Sequence, residues 1–313
     1  MTGRTSGRAP RVLVVYKKSS YDIYVRERRN TRVQELLEAG DASVANLRRA
    51  HEHHRDALLQ ARTCLQKLGA RATFRYRSSR TAVDEFDLVV TLGGDGTLLW
   101  ASHWTGSQCP IIAINTAPKD SVGHFCAGTS QQLEDMLADA LAGRLPVVRL
   151  SRMSVLVDNE LVSSRVLNDI LFAHTCPAAT TRFELEHAGE RRVFKCSGIW
   201  VGPAAGSTAA LRSAGGRVMA IGSKRLQYVV REPYFTAGAD RSLSKGFVEP
   251  SDTLKVTSHI RQGRLYVDGP HQGCVIDIGS HVALKLSHEP LSLLGYRGRD
   301  DREVEPGSNE QVA

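Results

Sequence analysis

No apolar run in this chain approaches the ~20 residues that a helix needs to cross a bilayer. The opening MTGRTSGRAPR also lacks the apolar core of a secretory signal, and its Arg-rich, acid-free stretch is too short before the first strand to read as an import sequence. A cytoplasmic protein without membrane partners is the expectation. The six cysteines, at 64, 109, 126, 176, 196 and 274, form no CxxC and no metal-ligand spacing, so free thiols in a reducing compartment are expected and a zinc site is not. Aromatic residues make up only 6%, with no platform of rings interleaved among basic residues, which argues against nucleic acid as a partner. Internal repeats and low-complexity tracts are missing. Two common nucleotide fingerprints are missing too: there is no Gly-Lys pair for a P-loop, and GxGxxG fails because the residue three after Gly96 is Leu99.

What is present is a chain of 313 residues, 42% hydrophobic, long enough for a sizeable core and two domains. Its formal charge of +8 is uneven, with a net +11 in residues 1–80 and −3 in the remainder. A basic first third attracts polyanions, nucleotides included. The cluster His51, Glu52, His53, His54 lies in a helical pattern where neighbours point to different faces, so it reads as a solvated helix and not as a metal site.

The chain is organised around Leu88 to Trp104, LVVTLGGDGTLLWASHW. A β-branched apolar run breaks into Gly93, Gly94, Asp95, Gly96 and Thr97, and helical character resumes at Leu98. Glycines let a ligand approach the backbone closely, and amides at a helix start favour anions. The loop therefore suits phosphate. Asp95 is the anomaly, because a carboxylate there repels phosphate unless a cation screens it or the reaction uses it as a base.

Strands are predicted over 11–17, 72–76, 88–91 and 111–115. They alternate with a helix over about 47–68 that stops at Gly69, and with another over about 130–142 opened by a Thr129/Gln132 capping box. Tyr21 to Asn30 reads as a loop or irregular helix. This alternation implies a parallel sheet covered by helices, with ligands at the carboxyl ends of its strands. Beyond Pro146 the texture changes to strands and turns, over 147–157, 161–174, 183–186, 192–196, 218–221, 253–259, 265–267 and 282–286. Asp158-Asn159 and Gln262-Gly263 are predicted as hairpin turns. The expected fold class is an α/β N-terminal domain (1–145) with a parallel sheet, followed by a β-rich, antiparallel, sandwich-like domain (146–286). A final segment (287–313) packs back on the first domain and ends in a disordered tail.

Three further constellations carry chemistry. Asn115 ends a strand and opens the polar loop NTAPKDSVGHF, which the topology brings towards the glycine loop. Asn168 and Asp169 interrupt the apolar run VLNDILF, where they need partners: a ligand with hydroxyls, or neighbouring backbone. Gly198 to Gly216 supplies glycines with Ser207 and Thr208, a second loop able to lie against a nucleotide. Asp268-Gly269 closes a later strand, as a plain turn or as part of the site.

Taken in order, these segments resemble the NAD kinase family over about residues 11–296. The agreement covers LGGDGT, Asn-Thr followed by Gly-His, the Asn-Asp pair, Gly-Ser-Thr with Ala-Gly-Gly, and the late Asp-Gly; NTAPKDSVGHFC and LQYVVREPY look most like its mitochondrial and NADH-kinase-like branch. The resemblance implies an ATP-dependent kinase that phosphorylates the 2′-hydroxyl of the adenosine ribose of NAD or NADH. Asp95 would be the catalytic base, with Gly93, Gly94, Gly96 and Thr97 on the ATP phosphates. Asp95, Gly96, Asn115, Asn168, Asp169, Ser207, Thr208, Ala209 and Asp268 would bind the dinucleotide. Magnesium would be carried mainly by substrate phosphates, and a homodimer or homotetramer is implied. The chain departs from the family where Pro203, Ala204 and Ala205 replace Thr-Pro-Thr, Ala210 replaces Tyr and Ser197 replaces an acidic residue. The rival readings are a lipid kinase of the diacylglycerol or sphingosine type, which shares GGDGT, and a non-catalytic NAD(P)-binding regulator.

Overall fold

The computed structural model describes residues 8–77, 83, 85–119, 121–236 and 241–298. The tail read as disordered falls, from residue 299, outside the described residues.

The first sheet is built from β1 (Arg11–Tyr16), β2 (Arg71–Tyr76), β3 (Leu88–Gly93), β4 (Ile111–Asn115), the two-residue β5 (Gly128–Thr129) and β6 (Val147–Leu150), joined by the chain's last strand, Leu291–Leu294. Its order is β2-β1-β3-β4-last-β6, with β5 on β4. β1 to β5 pair in parallel, whereas the last strand lies parallel to β4 and antiparallel to β6. β3 and β4 are buried at every position, which is why they read as unbroken apolar runs instead of alternating ones. Helices α1 (Thr31–Glu38), α2 (Ala45–Lys67), α3 (Asp95–Ser102) and α4 (Leu133–Leu141) flank this unit. The predicted capping box of Thr129 and Gln132 is formed.

α2 buries Ala57, Ala61, Cys64 and Leu65 and ends at Gly69, which takes φ +69°. The amide of Ala70 bonds the Leu65 carbonyl and that of Gly69 the Gln66 carbonyl, the paired closure that a left-handed glycine permits. The reading of a fully solvated histidine cluster is corrected here, because His51 and His54 are 6% and 3% exposed. His51 Nδ1 lies 2.9 Å from Ser19 Oγ, and His54 bridges Thr116 Oγ1 (2.9 Å) and the Lys17 carbonyl (2.6 Å). Together they tie the loops leaving β1 and β4 to α2. Tyr21 to Asn30, read as irregular, contains one π-helical turn at Asp22–Glu27.

The second unit contains β7 (Met153–Val157), β8 (Glu160–Val166), β9 (Ile170–His174), β10 (Thr181–His187), β11 (Glu190–Cys196), β12 (Gly198–Pro203), β13 (Leu226–Arg231), β14 (Lys245–Val248), β15 (Leu254–Ser258), β16 (Gly263–Val267), β17 (Gln272–Ile276) and β18 (His281–Leu286), with the short helix α5 (Ala210–Ser213) after β12. The last strand of the first sheet is β19. The twelve strands make two six-stranded antiparallel sheets, β11-β10-β15-β18-β7-β8 and β14-β13-β12-β9-β16-β17. Phe183, Leu185, Val256 and Leu284 of one pack with Phe172, Ile199, Tyr228 and Leu265 of the other in a single core.

Several predicted strands are corrected. The run 147–157 divides at Ser151 and Arg152, where the chain leaves the first sheet. The run 161–174 divides at 167–169, where it passes from one sandwich sheet to the other. Residues 218–221 are not a strand: the Arg217 and Met219 amides bond the side chains of Gln227 and Ser207 instead of a neighbouring strand. Gln262-Gly263 joins strands of different sheets and is no hairpin. Asp158-Asn159 is one, and both residues take positive φ (50° and 70°), as its tight turn requires.

Burial pushes the His54 imidazole down to about 4 from its ordinary 6.5. Since the folded-state value is depressed, the neutral ring's contribution is present above pH 6.5 and lost as pH falls from there towards 4. Unfolding free energies at pH 7.5 and 4.5 test this. The destabilisation caused by His54→Gln should be smaller at pH 4.5 than at pH 7.5 by about 2–3 kcal/mol; an equal cost at both would assign the pH dependence elsewhere.

Candidate active site

The glycine loop sits where β3 ends, at the carboxyl edge of the parallel sheet. Asp95 is the first residue of α3, with Gly94 as its N-cap. Asp95 Oδ2 accepts the His124 amide (2.8 Å) and Oδ1 the Phe125 amide (2.9 Å). Each oxygen keeps a second lone pair, so the carboxylate is aimed without being used up. The glycines have different tasks. A Cβ on Gly93 would lie 2.2 Å from Thr97 Oγ1 and one on Gly94 2.0 Å from Ser121 Oγ, whereas Gly96 faces open space. Thr97 is 1% exposed and its hydroxyl has no hydrogen-bond partner among the described residues. Its amide bonds the Gly94 carbonyl (2.9 Å), while the amides at the very start of a helix lack intrahelical acceptors, so an unpaired hydroxyl and helix-start amides sit together in one loop.

Asn115, 4% exposed, is spent on its own loop: Nδ2 donates to the Ser121 carbonyl (2.9 Å) and Oδ1 accepts the Ala117 amide (3.0 Å). It shapes the segment that delivers His124 and Phe125 to Asp95. Sequence reasoning missed the role of those two amides. The only trace of it was the Gly-His that follows Asn-Thr.

Asn168 and Asp169 stand at the crossing from β8 to β9. The amides of Leu167, Asn168 and Asp169 have lost ladder partners there, and Asp268 accepts all three: Oδ2 from Leu167 (2.9 Å), Oδ1 from Asn168 (2.7 Å) and Asp169 (3.0 Å). Asp268 thus acts on the protein's backbone. Ser207 does likewise, being fully buried, donating to the Ala204 carbonyl and accepting the Met219 amide. Gly202 and Gly206 press against the same crossing, since a Cβ on either would meet the Asn168 carbonyl oxygen, at 2.3 and 1.7 Å. Thr208 and Ala209 are partly exposed beside it. Among the departures, Ala204 and Ala205 are buried, and Ala205 shares a core cluster with Leu98 of α3, Leu167 and Phe125. The loop 204–209, the Asn-Asp crossing and α3 are therefore packed on one another.

Asp169 opens into a cavity of about 370 Å³ whose walls include Leu171, Trp200 and Tyr266, with Ser197 and Arg231 supplying polar groups. Flat apolar walls with a few convergent polar groups suit a ring-bearing ligand. Among the described residues, no group of three His, Cys, Asp or Glu side chains gathers to hold a metal, and no helix is long and apolar enough to cross a membrane.

A parallel α/β unit with a glycine-loop carboxylate, followed by a β-rich unit with a polar crossing and a ring-sized cavity, defines a two-domain nucleotide-binding architecture. Solved structures share it. An NAD kinase from Archaeoglobus fulgidus in complex with ATP matches over 92% of this chain and 94% of its own, with TM-score 0.63 and 21% identity. Yeast NADH kinase complexed with NADH matches over 94% and 85%, with TM-score 0.64 and 15% identity. Residues 7–145 match the ATP-NAD kinase N-terminal domain. A probable NADH kinase of Oryza sativa subsp. japonica is 38% identical over 239 residues, 68% of this chain and 74% of its own length. An NADH kinase of Arabidopsis thaliana is 35% identical over 238 residues, 69% and 75%. The chain belongs to the NAD kinase family.

Burial, and then the Asp268 charge, push Asp169 up to about 7 from its ordinary 3.8. With the folded-state value raised, stability is full below the unfolded value and lost as pH rises through about 7. In nucleotide-free protein, Asp169→Asn should therefore gain about 2–3 kcal/mol more relative to wild type at pH 8 than at pH 5, read from denaturant unfolding. The same substitution should weaken dinucleotide binding by about 1.5–3 kcal/mol, the scale of a hydrogen bond to a charged group. A variant that binds as tightly as wild type would make the pair purely structural.

Proposed function

We propose that this protein transfers the γ-phosphoryl group of ATP to the 2′-hydroxyl of the adenosine ribose of NAD or NADH, with Asp95 as general base. The observation that carries this is the Asp95 carboxylate, held by two backbone amides at the start of α3 within a loop otherwise shaped for phosphate. A loop that only bound phosphate would be better without that charge. A reaction that must take a proton from a sugar hydroxyl needs it. In this reading Asp95 accepts the hydroxyl proton as the new O–P bond forms and the β–γ bridge breaks, releasing ADP. Thr97 and the first-turn amides of α3 receive phosphate oxygens. Magnesium carried on the triphosphate would supply neutralisation of the charge on the transferring group. Asn168 and Asp169 hold nucleoside hydroxyls, Asn115, Ser207 and Asp268 keep those contacts in place, and Thr208 and Ala209 line the approach.

NADH is the favoured acceptor in this reading, supported by the names of the rice and Arabidopsis relatives. A homodimer or homotetramer goes with the family resemblance.

Purified protein supplied with ATP, magnesium and either NAD or NADH should form NADP or NADPH, measured with a coupled dehydrogenase. Asp95→Asn should lower turnover by ~10²–10⁴-fold, the usual contribution of a positioned base, while NADH affinity stays within about threefold. Retention of more than about a tenth of wild-type turnover would remove the assigned role. Tight NADH binding without product would favour the non-catalytic regulator, and phosphorylation of a diacylglycerol or sphingosine in its place would favour the lipid kinase.

A further inference from the structure

Asp268 organises the dinucleotide crossing through three backbone amides, yet it is itself a charge with 2% of its side chain exposed, beside a second carboxylate, Asp169. Two buried carboxylates repel, and one can stay ionised only if something compensates it. The side chain that meets Asp268 is His103, whose Nε2 lies 3.0 Å from Asp268 Oδ2 and whose own side chain is 7% exposed. The ring nitrogen has no acceptor aligned with its N–H direction. The contact is thus an electrostatic approach, with the Nε2 edge of the ring facing the carboxylate oxygen.

The position of His103 in the chain gives this contact its meaning. His103 is the C-cap of α3, and Asp95 is the first residue of the same helix. The two lie eight residues apart, about 12 Å along a rigid rod. One end of α3 therefore carries the base, and the other end touches the carboxylate that sets the Asn168–Asp169 crossing. Apolar contact runs alongside, through Leu98 of α3 and Leu167. The α3 terminus is separately fixed by Arg152, which donates to the Ser102 and Thr105 carbonyls, and by Arg165, which donates to those of His103 and Trp104. Losing the imidazole would leave Asp95 where it is and release the crossing.

We propose that His103 is a positioning residue for the dinucleotide, acting through Asp268 to hold Asn168 and Asp169 in register with Asp95. This rests on the kinase reading above. His103→Ala and His103→Gln, made in the full chain, are compared with wild type by fluorescence titration of NADH without ATP and by steady-state kinetics in both substrates. In His103→Ala the Kd and KM for NADH should rise roughly five- to twentyfold, the range of coupling between contacting groups, while kcat and the KM for ATP stay within about threefold. His103→Gln keeps an N–H donor of similar reach and should recover most of the NADH affinity. An unchanged NADH Kd in His103→Ala overturns the proposal, as does an equal rise of both KM values in both variants. Should His103→Ala fail to fold, a cycle of His103→Asn, whose shorter side chain does not reach Asp268, with Asp268→Asn and the double variant decides, because strictly additive effects on NADH Kd would mean the two side chains do not work together. Wild-type protein that neither binds NADH nor forms NADP(H) sinks the underlying reading, and this inference with it.

Discussion

A fully buried guanidinium holds the two units of this molecule in one arrangement. Arg152 is 0% exposed and donates to the carbonyls of Ser102, Thr105, Glu289 and Pro290. Two of these end α3, and the other two belong to the segment returning the chain to β19. Burial pushes Arg152 down to about 10, which still leaves it charged at neutral pH. The cation meets the negative end of the α3 dipole, and Glu289, held below the ordinary carboxylate range by its hydrogen bond from Arg165, lies 3.9 Å away. No aliphatic side chain could replace this group, because these carbonyls would then lose the buried donor they share. The orientation of α3, and with it that of Asp95, is inherited from the second unit.

The parallel sheet and its loop were legible because buried strands and capped helices leave local marks. β3 and β4 are apolar at nearly every position, α2 repeats at three and four residues before a glycine stop, and Thr129 with Gln132 closes its box within four residues. The sandwich was legible as a class but not in its connections. Runs 147–157 and 161–174 are continuous in hydropathy, yet each changes sheets part way along, and sequence period reports burial, not which sheet does the burying. Gly202 was read as a loop glycine facing a ligand. It sits in β12 because the carbonyl of Asn168 approaches too closely for a side chain.

The candidate site shows the same division. Asp95 and the Asn168–Asp169 pair stood out because each places charge or polarity where the local pattern opposes it. The groups that aim them did not stand out. His124 and Phe125 act through backbone amides that any residue carries, and Asp268 and His103 lie about 100 and 65 residues from the crossing they serve. Ser207 looked like a ligand donor on composition, and its fully buried hydroxyl turns out to hold Met219.

Three of the places where the chain changes sheets border the first unit or the Asn-Asp pair: Ser151–Arg152, Leu167–Asp169 and Ser287–Pro290. At every such crossing, backbone amides and carbonyls lose their ladder partners and must be satisfied by something else. Arg152 and Glu289 serve the outer two crossings, and Asp268 serves the middle one. That necessity explains why the site lies along the seam. A segment held by side chains instead of a strand ladder can leave its remaining polar groups free to face a cavity, and Asp169 lines the edge of an apolar one. The raised Asp169 is the cost of that placement, since burial and the neighbouring Asp268 charge disfavour its ionised form. Under the proposed function, a ribose hydroxyl donating to it would relieve the same penalty, so the group that weakens the protein as pH rises would also be one that gains from binding.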